Sequence, residues 1–278
     1  MNNQGHLLTR VVTCFRQWRE IACWADKNEL FDPAIQWIIV NDCPENGCPP
    51  ELKTLLASHG VNLIESKFNE GRSQARNLGT AAAKSVWIEH IDGDDLPLPV
   101  DLNSLPDPAQ FDVLQFPAVE VTVSIYELKT IDVADHPIVG NWSTFTGLLS
   151  PFNVRPAATM WRKDFLEGLG GYDGRFETAE DIQLALKAAA AGARVWRGRR
   201  PKALYSRRPG RDSFPRPRVE GVLRVCRWAR ANSMPLVRRE AELWEAKEVL
   251  YLAAHAALDL CRNFKSILRY ILSRLGLW

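Results

Sequence analysis

Residues 69–95 read NEGRSQARNLGTAAAKSVWIEHIDGDD. The first residues form a loop, the alanine-rich stretch after them a helix, and VWIEHID (86–92) a strand rich in β-branched and aromatic side chains. At the end of that strand three carboxylates crowd together, Asp92, Asp94 and Asp95, ahead of LPLP at 96–99. Carboxylates at this spacing do not all stay ionised without a counter-charge. Asp and Gly are ordinary turn residues, so a solvated turn explains the composition. A divalent cation explains it too, because carboxylate oxygens match its hard charge.

The chain on either side repeats the same alternation. Residues 7–15, LLTRVVTCF, read as a strand and 17–31 as a helix. IQWIIV (35–40) is a near-continuous apolar run, bounded by Asp-Pro and Asn-Asp-Cys-Pro, which suits a strand buried on both faces. A helix over about 50–58 and a short strand over 61–64 follow. Strands alternating with helices define an α/β domain with a mainly parallel sheet. Ligands of such sheets sit beyond the carboxyl ends of the strands. Three polar clusters fall there: Thr13 to Arg16, Asn41-Asp42, and the acidic cluster.

Beyond residue 95 the pattern loosens. Residues 111–126 alternate as strands, whereas 127–156, with Pro137, Gly140, Gly147, Pro151 and Pro156, are irregular and suit a substrate-binding loop region. Residues 157–169 open a strand or a helix, and Gly-Gly-Tyr-Asp-Gly (170–174) makes turns. Glu180 to Ala191 is a helix closed by Gly192 at its C-cap, and ARVWRG (193–198) is a final strand. RRPGRDSFPRPRV (207–219) reads as a domain boundary or loop, and 220–278 as helical.

Composition sets the broad class. The 278 residues are 46% hydrophobic and 24% charged with net charge +2, ordinary values for a globular protein. No apolar run is long enough to span a bilayer, and MNNQGHLLTR has none of the features of a secretory signal. A cytoplasmic location is therefore expected. The six cysteines form no CxxC pair, so free thiols in a reducing compartment are expected. The charge is uneven. Residues 194–230 carry thirteen Arg or Lys against Asp212 and Glu220, a local +11, which leaves −9 for the other 241 residues. Such a tract implies an anionic partner: a phosphorylated ligand, nucleic acid or a membrane surface.

Three pieces of the chain together resemble family 2 glycosyltransferases, enzymes of the GT-A fold. IIVNDCPENG (38–47) is similar to the family's strand ending in Asp-Asp-Gly-Ser. Residues 69–95 follow Asn-x-Gly, Ala-Arg-Asn and a terminal Asp-x-Asp-Asp. LGGYDGRFETAEDIQLALKAAAAGARVW (169–196) looks like Gly-Gly-Phe-Asp followed by Glu-Asp and a helix. The resemblance covers roughly residues 7–206. It implies a Rossmann-like GT-A domain over 1–206, followed by an Arg/Pro-rich linker or lid and a helical C-terminal region over 207–278.

The resemblance also implies roles. Asp92-Gly93-Asp94 matches the family's Asp-x-Asp, giving metal contact to Asp94 and Asp95 and ribose or indirect metal contact to Asp92, with Mn or Mg as the ion. Asp42 matches the carboxylate that accepts a hydrogen bond from uracil, and Asn69 and Arg76 match positions lining the donor pocket. Where the family has Pro-x-Tyr-Asn, this chain has Thr13-Cys14-Phe15-Arg16, and Phe15 is placed to stack on the base. Asp181 matches the catalytic base, with Glu180 supporting it or contacting the acceptor. A carboxylate suits that task because it takes up the proton as the hydroxyl attacks. Acids in a helix's first turn also favourably complement the macrodipole. Arg72 matches no family position and reads as a solvated helix start. In place of the family's Tyr-x-x-His near the diphosphate stand Tyr205, Ser206, Arg207 and Arg208, so Arg208 takes the His position as a permanent cation.

The expected activity is metal-dependent, inverting transfer of a hexosyl or N-acetylhexosaminyl group from a UDP-linked sugar to an acceptor hydroxyl. A carbohydrate or lipid-linked acceptor is implied, in assembly of surface polysaccharide, lipopolysaccharide or glycolipid. Two other classes stay open on the residues alone. A nucleotidyltransferase uses a metal on a similar scaffold and releases pyrophosphate. A nucleic-acid-binding protein would use the basic tract and show salt-sensitive affinity, although no nucleic-acid module is present and none is expected as partner. In the tail, KSILRYILSRLGLW (265–278) places Ile267, Leu268, Ile271, Leu272 and Leu275 on one helical stripe among basic residues. A core helix and a peripheral membrane contact both explain it.

Overall fold

β1 (Leu8–Cys14) is buried along its whole length. It takes an interior place in the sheet because its apolar residues can be covered on both faces. The computed structural model describes residues 6–25, 31–121, 138–139, 154–206 and 216–232. The chain divides into two compact units, Met1–Phe214 and Pro215–Trp278.

In the first unit, α1 (Trp18–Ala25), β2 (Gln36–Asn41), α2 (Pro50–Ser58), β3 (Asn62–Glu65), α3 (Arg72–Ala82) and β4 (Trp87–Asp92) follow β1. Next come β5 (Leu96–Pro97), β6 (Val113–Gln115), β7 (Ala118–Val121), β8 (Ile138–Val139), β9 (Thr159–Arg162), α4 (Lys163–Gly168), α5 (Glu180–Ala190), β10 (Val195–Arg197) and β11 (Ala203–Ser206). Seven strands make one sheet in the order β10-β6-β9-β4-β1-β2-β3. Every pairing in it is parallel except those of β9 with β4 and β6. This is the mainly parallel, helix-flanked sheet expected, with β9 reversed. β5, β11, β7 and β8 form a second small sheet that the sequence reading did not foresee.

Helices α3, α4 and α5 cover one face of the main sheet. Ala75 and Ala83 of α3 lie with Val11, Ile38, Val40 and Ile88, and Leu184, Ala185 and Ala188 of α5 with Val113 and Trp161. α3 rests directly on β1, because a Cβ at Gly79 would lie 2.2 Å from Val11 Cγ1. The opposite face takes α1 and α2, through Ile21, Trp24, Leu52 and Leu56, and the small sheet through Leu96, Val119 and Leu204. On that face Arg10 and Glu89 are register partners in β1 and β4, joined at 2.7 Å with both side chains buried. Arg10 Nη2 also donates to Leu98 O at 2.7 Å, which ties the end of β5 to β1.

The helix expected over 17–31 is described over Trp18–Ala25, and residues 26–30 lie outside the described residues. Residues 157–169 contain both alternatives, β9 followed by α4. Gly192 takes φ 73° just past α5, the left-handed turn that glycine adopts without penalty. In the second unit, α6 (Arg216–Ala231) buries Val222, Leu223, Val225, Cys226 and Ala229 and exposes Arg224, Arg227 and Arg230. No helix among the described residues is long and apolar enough to cross a membrane. The irregular segment 122–137 and 140–153, the Arg-rich stretch 207–215 with Arg208, and the tail 233–278 with its apolar stripe lie outside the described residues.

Candidate active site

Register brings the polar clusters level at one edge. Thr13 pairs with Val40 on one side and Asp92 on the other, and Cys14 pairs with Asn41. Gly93 N donates to Thr13 O and Asp42 N to Cys14 O, each at 2.9 Å, so the chains leaving β2 and β4 stay fastened to the end of β1. Asp42 is buried, and its Oδ1 accepts the Glu70 N–H at 2.9 Å, which fixes the loop before α3. Asn69, on the same loop, is exposed and accepts from Gly71 N at 3.2 Å. Phe15 is 42% exposed, and Arg16 beside it holds φ 72°, an uncommon backbone for a residue with a side chain.

The centre of the site is Arg76. Its side chain is fully buried, with Nη2 2.6 Å from Asp92 Oδ1 and Nη1 2.7 Å from Glu180 Oε1. One planar guanidinium thus joins the end of β4 to the start of α5, a geometry its fixed fork allows. Thr13 Oγ1 adds a longer bond to Asp92 Oδ1 at 3.4 Å. Burial pushes the Asp92 carboxyl up, but Arg76, then Arg72 and Thr13, hold it below the ordinary carboxylate range. Asp95 N donates to Asp92 O at 2.9 Å, closing the turn that carries Asp94 and the buried Asp95.

α5 starts abruptly. Ala179 before it sits at φ 64°, ψ 24°, left-handed without being glycine, and no side chain caps the helix. Glu180 is buried against Arg76, whereas Asp181 is partly buried and accepts the Ile182 N–H at 2.8 Å. Burial, then the Glu180 charge, pushes the Asp181 carboxyl up to about 6 against the pull of Arg76.

The structure therefore brings Thr13, Arg76, Asp92, Glu180 and Asp181 together. Asp42, just past β2, is tied through the Glu70 N–H to the loop that carries Asn69. Four further residues stand at the site without having been expected there. Arg72, expected to be solvated, is 56% exposed but has Nη1 3.9 Å from Glu180 Oε1. Tyr172 lies under Arg76, and Asn77 and His90 hold it. The signals were present: Arg72 is one turn from Arg76 on α3, and His90 shares a strand face with Asp92 at the period of two. Burial, and then Arg76, push His90 down to about 3, so the ring is neutral.

Among the described residues, no group of three His, Cys, Asp or Glu is arranged to hold a metal ion by itself. The turn fits a hard cation of another kind, held by one or two carboxylates and completed by phosphate oxygens. Arg76 engages Asp92, and Asp94 and Asp95 are the other two carboxylates of the turn.

A mainly parallel, helix-flanked sheet with polar residues gathered at its carboxyl edge is the architecture of a GT-A domain. Residues 4–160 match the family model of Glycosyl transferase family 2, more than half of the chain, and the chain belongs to that family of glycosyltransferases. No curated protein matches the sequence. Among solved structures, S. aureus TarS is similar at TM-score 0.59 and 13% identity over 87% of this chain and 42% of that one. S. aureus TarS 1–349 in complex with UDP is similar at TM-score 0.57 and 14% identity, covering 87% of this chain and 70% of that one. The mannosyltransferase PcManGT from Pyrobaculum calidifontis, in complex with GDP-Man and Mn2+, gives TM-score 0.56 and 15% identity, over 95% and 83%. This chain spans less than half the length of the first of these.

Proposed function

We propose that the chain transfers a sugar from a UDP-linked donor to an acceptor hydroxyl in one inverting displacement, with Mn or Mg bound. The observation that carries this reading is the Arg76 bridge, 2.6 Å to Asp92 and 2.7 Å to Glu180. It joins the acid-rich turn after β4 to the first turn of α5. Phe15, Asp42 and Asn69 would receive the nucleoside, Asp42 through the uracil imide. Thr13 and Asp92 would meet the ribose, and Asp94 and Asp95 would hold the ion. When bound, the ion supplies Lewis-acid stabilisation of the departing diphosphate. Asp181, poised near 6, is ionised at neutral pH and yet a stronger base than an ordinary Asp. Glu180 secures it by keeping the helix start on Arg76, and Arg208 would add a permanent cation toward the diphosphate.

Residues 1–206 would form the catalytic domain, and 207–278 a lid or linker with helices that meet the membrane surface. The setting would be cytoplasmic assembly of a surface polysaccharide, lipopolysaccharide or glycolipid. Calorimetry with UDP and GDP, with and without Mn, tests the donor assignment. UDP is expected to bind more tightly than GDP, to lose its affinity in EDTA, and to bind less well to Asp94→Ala. Equal affinity for the two nucleotides overturns the uracil assignment, and EDTA-resistant binding overturns the metal. Release of pyrophosphate from a nucleoside triphosphate, in place of UDP from a sugar donor, would identify a nucleotidyltransferase.

A further inference from the structure

Tyr172 is buried where α3, β4 and the loop to α5 meet, and none of the roles above uses it. Asn77 clasps its backbone: Tyr172 N donates to Asn77 Oδ1 at 2.9 Å and Asn77 Nδ2 donates to Tyr172 O at 2.8 Å. The clasp needs Gly171, which holds φ 63° and where a Cβ would lie 2.5 Å from Asn77 Oδ1. The Tyr172 ring lies 4.9 Å from the Arg76 guanidinium carbon, within cation–π range.

The hydroxyl end is held as well, and the direction of its hydrogen bonds can be worked out. Thr80 Oγ1 donates its proton to Arg76 O at 2.9 Å, so it must accept from His90 Nε2, 2.8 Å away. The neutral imidazole then has Nδ1 free to accept from the Tyr172 hydroxyl at 3.4 Å. The chain runs one way, from Tyr172 through His90 and Thr80 to the Arg76 carbonyl. It begins beneath the Arg76 side chain and ends on the same residue's backbone. Among the described residues Arg76 Nε has no hydrogen-bond partner, and the two carboxylates and this ring orient the guanidinium.

We propose that Tyr172 is a positioning residue for the transfer reaction: it holds the Arg76 guanidinium in the plane that serves Asp92 and Glu180 together, and so fixes the first turn of α5 that carries Asp181. The inference rests on the reading of Asp181 as base.

The test measures what Glu180→Gln does to the unfolding equilibrium of the full chain in three backgrounds: native, Tyr172→Phe and Tyr172→Leu. If the ring holds Arg76 on Glu180, the Leu background has already lost that bond. The effect of Glu180→Gln is then expected to shrink at least fivefold there, while Tyr172→Phe, which keeps the ring, retains it within twofold. Side chains that merely pack give the same effect in all three backgrounds, and that result overturns the proposal. Tyr172→Met replaces Tyr172→Leu if the latter does not fold. UDP affinity with Mn is expected to fall no further in Tyr172→Leu than in Arg76→Lys, and a tenfold greater loss would assign the ring to the donor pocket instead. If the native chain binds no UDP, the donor reading fails by itself, because the Glu180 series needs no ligand.

Discussion

Asp181 shows what burial and a like-charged neighbour do to one carboxylate. Its folded value of about 6 lies above its ordinary 3.8, so the folded chain holds this proton more tightly than the unfolded chain does. The stabilisation that follows is fully present below about pH 4 and is lost as pH rises through about 6. Asp181→Asn removes the charge, and at pH 7 the variant is expected to be more stable than native by on the order of 1 kcal/mol. Unfolding curves at pH 7 and pH 4 check this, since the gain should disappear at the lower pH. Turnover by the same variant is expected to fall by about two to four orders of magnitude, the usual worth of a positioned base. In kcat/KM the acid limb should lie near pH 6. Arg76 is the complementary case. Arg76→Leu leaves Asp92 and Glu180 with the half-exposed Arg72 in place of a buried cation between them, which should cost about 3–5 kcal/mol in chemical denaturation. Lys carries the charge but lacks the fork, so Arg76→Lys should recover only part of the loss.

Among the elements, α5 is set by its start. Ala179 in the left-handed region costs roughly 1–2 kcal/mol that glycine would not incur. Ala179→Gly is therefore expected to raise the melting temperature while loosening the helix start, and so to lower kcat more than it changes UDP affinity. A lower melting temperature would mean that the Ala179 methyl contributes more by packing than its backbone costs. β1 and β4 meet the same kind of question at Arg10 and Glu89. Burial pushes the Glu89 carboxyl up even with Arg10 at 2.7 Å, and Glu89 Oε1 has no hydrogen-bond partner. Arg10→Met alone should cost about 3–5 kcal/mol, whereas Arg10→Met with Glu89→Leu should be near neutral in urea unfolding. If the double variant loses as much as the single one, the pair is holding the register that sets Thr13 opposite Asp92.

At the scale of the molecule, function depends on which strand ends share an edge. Chain order alone places Asp42, Asp92 and Glu180 far apart, and β9 entering antiparallel between β4 and β6 adds a reversal that helix–strand alternation does not announce. The alternation itself, the buried character of β2, the left-handed Gly192 after α5 and the acidic turn after β4 were all legible. Each is written in a short window by periodicity, apolar content or a single residue's backbone preference. The second sheet was not legible, because strands as short as Leu96–Pro97 and Ala203–Ser206 are too brief to show a period. Nor was the Arg76–Glu180 bond, whose partners are 104 residues apart. The same holds for the clasp of Asn77 on Tyr172 at a separation of 95. The sequence by itself determined the α/β class, the sheet edge where the polar clusters gather and the carboxylates among them. Only the tertiary structure decided that one arginine binds two of those acids and that a tyrosine and a histidine brace it. Such pairings arise when packed elements bring distant side chains within hydrogen-bond reach, and no local preference specifies them.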